Sequence, residues 1–105
     1  MEELKQQIRN YPTGTEFQKM VWLELLNIPV GSVITYLELA RKVGKPKSYR
    51  AVANAVGANP FAPEVPCHRV IRSDGRLGGY SGEGGVETKL KLLRSENVDF
   101  SKLIE

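Results

Sequence analysis

The chain has 105 residues, of which 41% are apolar and 26% charged, with 15 Lys and Arg against 12 Asp and Glu. That length fits one domain and that apolar share fits a packed core, so a wholly disordered chain is excluded. One cysteine and one histidine exclude an internal disulfide framework and an ordinary structural zinc site, so the chemistry is metal-free, or uses few residues, or is absent.

Residues 1–14 read as a short polar lead-in with one helical turn, closed by Pro12 and Gly14. Met1-Glu2-Glu3-Leu4-Lys5 lacks the basic and then apolar profile of a signal peptide. Thr15-Glu16-Phe17-Gln18 has the form of a capping box, in which a hydroxyl and an amide satisfy the free N–H groups of a helix start. Phe17, Met20, Val21, Leu25 and Ile28 follow at helical spacing as one apolar stripe, and Pro29 ends the helix. Glu24, Asn27 and Pro29 interrupt the longest apolar stretches, so no membrane span and a cytoplasmic location (on the nucleoid in a prokaryote) are expected.

Val30 to Ile34 turn into a short strand, and Thr35-Tyr36-Leu37-Glu38 forms a second capping box. It opens a helix carrying Leu37, Leu39, Ala40 and Val43, with Gly44 at its C-terminal end. After the turn Gly44-Lys45-Pro46-Lys47, Ser48 caps a helix from Tyr49 to about Gly57. Two short helices joined by a glycine-containing turn make a helix-turn-helix pattern. In the second, Val52 and Val56 face inward, while Arg50, Asn54 and Gly57, flanked by Ala51, Ala55 and Ala58, face outward. One Arg among small residues suits close backbone approach and minor-groove binding better than base reading in the major groove.

Charge is concentrated in this region. From Arg41 to Arg76 eight basic residues stand against Glu64 and Asp74, a local net charge of about +6, while the flanks are acidic overall. Such a segment is a footprint for a polyanion or a solvated surface.

Three prolines stiffen residues 58–66, and Val65-Pro66-Cys67-His68-Arg69-Val70-Ile71 reads as a strand. Ser73-Asp74-Gly75 is a turn, Leu77 to Gly82 a glycine-rich loop, and Gly84-Gly85 precede a last helix with Val86, Leu90 and Leu93 inward and Glu96 near its end. The lone thiol therefore sits beside the lone imidazole, with Arg69 and Arg72 nearby to favour a thiolate. A lone cysteine is also commonly a small buried hydrophobe. Adjacent strand residues point to opposite faces, so contact between Cys67 and His68 requires a bridging water or a break after Pro66.

Pro66-Cys67-His68-Arg69-Val70 resembles the active-site motif of the O6-alkylguanine-DNA alkyltransferases, also called methylated-DNA–protein-cysteine methyltransferases. Val33 to Ala40, Gly44 to Lys47, Arg50-Ala51-Val52, Asn59-Pro60, Gly79-Tyr80-Ser81-Gly82 and Leu92 to Glu96 follow in that family's order and spacing. The resemblance covers roughly Thr15 to Glu96.

It implies a mainly α fold with a small β element, a winged-helix-like helix-turn-helix DNA-binding domain filling residues 1–105 as a monomer. Cys67 is then the alkyl acceptor, linked through water to His68, which Glu96 polarises. Tyr36 donates toward N3 of the leaving guanine, and Asn59 holds the turn before the active-site segment. Arg50, Ala51, Asn54, Lys47 and Arg69 are expected on DNA, with Arg50 filling the stack when the base flips out. Tyr80, Ser81, Val70 and Pro66 are expected to line the base pocket. The implied partner is double-stranded DNA carrying O6-alkylguanine, bound without sequence specificity through the minor groove, and no cofactor is implied. Many relatives carry a further N-terminal domain, and the chain corresponds to the C-terminal one alone. The family's single-domain alkyltransferase-like members bind lesions without transfer and recruit other repair factors, usually with another residue at the Cys position. They supply the alternative to a DNA-repair alkyltransferase, and a small helix-turn-helix transcription factor is a third reading.

Overall fold

The computed structural model describes residues 2–80 and 82–100. In chain order the helices are α1 (Glu2–Arg9), α2 (Glu16–Leu25), α3 (Tyr36–Lys42), α4 (Tyr49–Gly57) and α5 (Gly85–Ser95). The strands are β1 (Ile34–Thr35) and β2 (Val70–Ile71), with a 3₁₀ turn at Cys67–Arg69 leading into β2.

Both capping boxes form. Thr15 Oγ1 accepts from Gln18 N at 3.0 Å while Thr15 N donates to Gln18 Oε1 at 3.0 Å. Thr35 and Glu38 repeat the arrangement at 3.1 and 3.0 Å, so α3 starts at a fixed residue, Tyr36. Gly44, at φ +76°, reverses the chain after α3, a conformation that a side chain disfavours. β1 and β2 pair in parallel, Ile34 opposite Val70 and Thr35 opposite Ile71. A parallel pair requires a crossover, and here α3, the turn and α4 supply it. The fold is thus mainly helical, a helix-turn-helix bound to a two-stranded sheet.

The core lies between α1, α2, α4 and the 59–65 segment. Val21, Leu25, Leu39, Val52, Val65 and Val70 have no solvent exposure. Trp22 is 1% exposed and packs edge-on with Tyr11 and Phe61, centroids 5.8 and 6.3 Å away. Its indole Nε1 donates to Ala55 O at 2.8 Å, so the ring buries no unpaired polar atom.

Several sequence expectations are corrected. The lead-in forms two helical turns, not one, because Ile8 is fully buried and Lys19 Nζ caps α1 by donating to Arg9 O at 2.9 Å. In α2 the inward position belongs to Trp22, and Met20 is 37% exposed; the helix ends at Leu25, ahead of Pro29. Ala55 is buried under Trp22 rather than flanking the outer face of α4. Ser48 precedes α4 without a side-chain capping bond. Residues 65–71 are not one strand: Cys67 N donates to Val65 O across Pro66, and Arg69 N to Pro66 O, which curls the chain into the 3₁₀ turn. In α5 Val86 is 43% exposed, and Lys89, with Leu93, takes the inner face.

Candidate active site

The local backbone sets up the thiol. Asn59 spans the proline-rich segment, its Oδ1 accepting from Phe61 N at 2.9 Å and its Nδ2 donating to Val65 O at 2.8 Å. Its burial therefore fixes the approach to Pro66 and the 3₁₀ turn. Cys67, 4% exposed, lies at the floor of a cavity of about 340 Å³ bounded by Tyr36, Val56, Gly57, Gly79 and Tyr80. Burial raises its pKa above the ordinary thiol value, opposed by hydrogen bonding from Asn59 and by the charge of Lys89. The hydroxyls of Tyr36 and Tyr80 are also shifted upward, first by burial and then by Cys67. The pocket thus favours neutral groups until a proton is moved.

Behind the thiol stands a charged cluster. His68 Nε2 lies 2.9 Å from Glu96 Oε2. A carboxylate can only accept, so in the neutral imidazole Nε2 carries the hydrogen and Nδ1 is an acceptor. Nδ1 is buried and makes no hydrogen bond among the described residues. Arg69 grips the same carboxylate with both arms, Nε to Oε1 at 2.9 Å and Nη2 to Oε2 at 2.8 Å, and its Nη1 donates to Ile28 O at 2.7 Å. Hydrogen bonding from Arg69, and secondarily from His68, lowers the Glu96 pKa and keeps it ionised against its burial.

Lys89 is a further site residue. It is fully buried on α5, and its ammonium donates to the carbonyls of Val70 (2.8 Å), Leu77 (2.7 Å) and Gly79 (3.0 Å). One side chain thereby fastens the glycine-rich loop to β2. Burial lowers its pKa to about 8, opposed by Cys67. Gly78, at φ +76°, lets that loop pass close: a Cβ there would lie 3.3 Å from Arg72 Cγ and 3.8 Å from both Lys89 Nζ and the Tyr36 ring.

Of the expected site residues, Cys67, Tyr36 and Tyr80 share the cavity, His68 and Glu96 pair behind it, and Asn59 supports it from below. Lys47, Arg50, Ala51 and Asn54 are exposed on the turn and outer face of α4. Arg69, expected on DNA, is not exposed beside them: its side chain, 13% exposed, is taken up by Glu96 and Ile28. Val70 and Pro66 do not line the cavity; Val70 packs in the core and Pro66 is buried at the bend. Ser81 lies outside the described residues. Lys89 escaped the sequence reading because Val86, Leu90 and Leu93 made an apolar stripe one register away. The usable signal was Lys89, Leu93 and Glu96 at positions i, i+4 and i+7 of one helix face.

Residues 16–98 match the family described as 6-O-methylguanine DNA methyltransferase, DNA binding domain. The chain belongs to this family. It is 52% identical over 85 residues to the methylated-DNA–protein-cysteine methyltransferase of Methanosarcina barkeri, covering 81% of this chain and 52% of that protein. Its fold superposes on Mycobacterium tuberculosis OGT in complex with DNA at a TM-score of 0.76 and 47% identity, covering 86% of this chain and 53% of that one. Schizosaccharomyces pombe Atl1 (S. pombe), in complex with damaged DNA containing O6-carboxymethylguanine, aligns at a TM-score of 0.70 and 36% identity, over 80% of this chain and 78% of Atl1. This alkyltransferase-family chain spans about half the length, or less, of the first curated relatives it matches. Among the described residues no helix is long and apolar enough to cross a membrane, and no group of three or more His, Cys, Asp and Glu could hold a metal ion.

Proposed function

We propose that this chain is a DNA-repair protein that moves an alkyl group, typically methyl, from O6 of guanine in double-stranded DNA to Cys67, once per molecule. One observation carries this reading. A buried thiol forms the floor of a cavity, and the residue next to it in sequence is a His paired to Glu96 with an unengaged, buried acceptor nitrogen. A stacked base cannot reach such a thiol, so the guanine rotates out of the duplex into the cavity while Arg50, exposed on α4, fills the space it leaves.

The thiol proton passes through a water to His68 Nδ1, and the resulting imidazolium is stabilised by Glu96. Sγ then attacks the alkyl carbon in line. The S–C bond forms as the C–O6 bond breaks, and the electron pair enters the purine ring. Tyr36 gives its hydroxyl proton to N3, so neutral guanine leaves, and His68 returns a proton to Tyr36. The products are a thioether and guanine, and nothing in the cycle regenerates the thiol.

Incubation with a duplex containing O6-methylguanine, followed by mass measurement of the peptide carrying Cys67, tests the proposal. One added methyl, absent in Cys67→Ala, is the expected result. A second reading, a lesion-binding sensor without transfer, is supported by the likeness to S. pombe Atl1, whose structure is a complex with damaged DNA containing O6-carboxymethylguanine. Preferential lesion binding with no mass gain would establish it and sink the transfer reading.

A further inference from the structure

The basic segment contains two arginines that the transfer chemistry leaves unused. Arg72 and Arg76 flank the 72–76 turn after β2, their side chains 55% and 60% exposed. Asp74 lies between them. Its carboxylate pairs with Arg72 Nη2 at 3.1 Å and stands 3.8 Å from Arg76 Nε, while Oδ1 accepts from Arg76 N at 3.0 Å. The backbone closes the same turn, Arg72 N to Arg76 O at 2.9 Å and Gly75 N to Arg72 O at 3.0 Å. Exposed ion pairs of this kind add little stability. Their effect is on geometry: one carboxylate holds two guanidiniums on one turn, and each keeps N–H donors for another anion.

This turn is one wall of a second cavity, of about 400 Å³, whose opposite wall is Tyr49, Arg50 and Ala53 of α4. Tyr36 lines both this cavity and the one over Cys67, so the two adjoin. The stem of Arg72 also bears on the Gly78 loop that borders the thiol cavity. Arg50 and Arg72 against one aspartate give the groove a net positive charge, Arg76 adds a further guanidinium on the same turn, and the partly exposed Tyr49 ring offers a flat face for a sugar or base.

We propose that this groove seats the backbone of the lesion-bearing DNA strand beside the flipped nucleotide, with Arg72 and Arg76 binding its phosphate oxygens and Asp74 aiming them. The assignment rests on the DNA-repair reading above and extends it to the path of the strand. A base drawn to the thiol brings its neighbouring phosphates with it, and the adjoining groove is where guanidiniums are already placed to receive them.

The test measures binding of the full chain to duplexes with and without O6-methylguanine over a range of salt. Wild type, Arg76→Ala and Arg72→Ala/Arg76→Ala are compared, together with duplexes carrying one neutral methylphosphonate at successive positions on either strand. The slope of log affinity against log salt is expected to become shallower by about 1 for each arginine removed. Neutralising a phosphate next to the lesion on its own strand is expected to weaken wild type at least several-fold and the double variant hardly at all. Arg76→Ala guards against misfolding, since that side chain is exposed, and its unfolding transition should match wild type. Unchanged salt slopes, an equal methylphosphonate loss in wild type and double variant, or a loss confined to the opposite strand would each overturn the groove assignment. Methyl transfer to Cys67 by wild type in those cases leaves the repair reading standing. Wild type without lesion preference would overturn both.

Discussion

The two halves of this molecule are held together by different physics. Around Trp22 the contacts are apolar and aromatic, with Tyr11, Trp22 and Phe61 edge to face and one indole hydrogen bond satisfied by Ala55. Around Cys67 the buried groups are His68, Asn59 and Lys89, with Arg69 and Glu96 nearly so. Apolar burial is indifferent to pH and tolerant of small shifts, whereas buried charge depends on each partner being present in one protonation state. The helical half serves as a footing on which a more demanding polar half is built.

Substitutions should separate the two. Trp22→Ala opens a cavity in the apolar half and is expected to cost about 3–5 kcal/mol in urea unfolding. Lys89→Met keeps the volume but strands the carbonyls of Val70, Leu77 and Gly79, an expected loss of about 2–3 kcal/mol. It should also loosen the loop that carries Gly79 and Tyr80, read as faster amide hydrogen exchange there than in α2. Similar exchange in both regions would argue against Lys89 as the fastening.

Glu96→Gln is expected to cost about 2 kcal/mol at pH 7 by leaving Arg69 and His68 without their shared anion. Because the folded carboxyl titrates below its ordinary range, its contribution is fully present above that range and is lost as pH falls through the folded value. The stability gap between wild type and Glu96→Gln should therefore narrow on acidification, while the cost of Trp22→Ala stays constant. The smallest effects, about 1 kcal/mol each, are expected for Thr15→Ala and Thr35→Ala, which remove N-caps. Only the second should also slow the alkyl transfer proposed above, since α3 begins with Tyr36; equal transfer rates would show that the cap does not position that hydroxyl.

What the sequence disclosed follows the same division. The capping boxes at Thr15 and Thr35, the inward Val52 and Val56 and the Gly44 turn are local patterns, and each is found in place. The 3₁₀ turn at Cys67 was hidden because β-branched and proline residues around it carry a strand signature, while Asn59 and the Val65 carbonyl decide the conformation from outside the motif. Arg69 was expected on DNA from the family resemblance, and the sequence around it carries no sign of a buried partner. Glu96 at the end of α5, 27 residues away, together with the Ile28 carbonyl, draws it inward. Lys89 was hidden by the competing stripe of Val86, Leu90 and Leu93, and its three acceptors come from segments that periodicity does not connect.

The burial of Cys67 has a consequence for how long the protein keeps. In the transfer proposed above, a thiol that is consumed by its own reaction has to survive unspent until a substrate arrives. At 4% exposure, with burial favouring the neutral thiol, Cys67 is shielded from dissolved oxidants, other thiols and stray electrophiles. Reactivity is limited by shape, because the sulfur is met in a cavity bounded, among the described residues, by Tyr36, Val56, Gly57, Gly79 and Tyr80. Shelf life and selectivity are then one property of the same cavity.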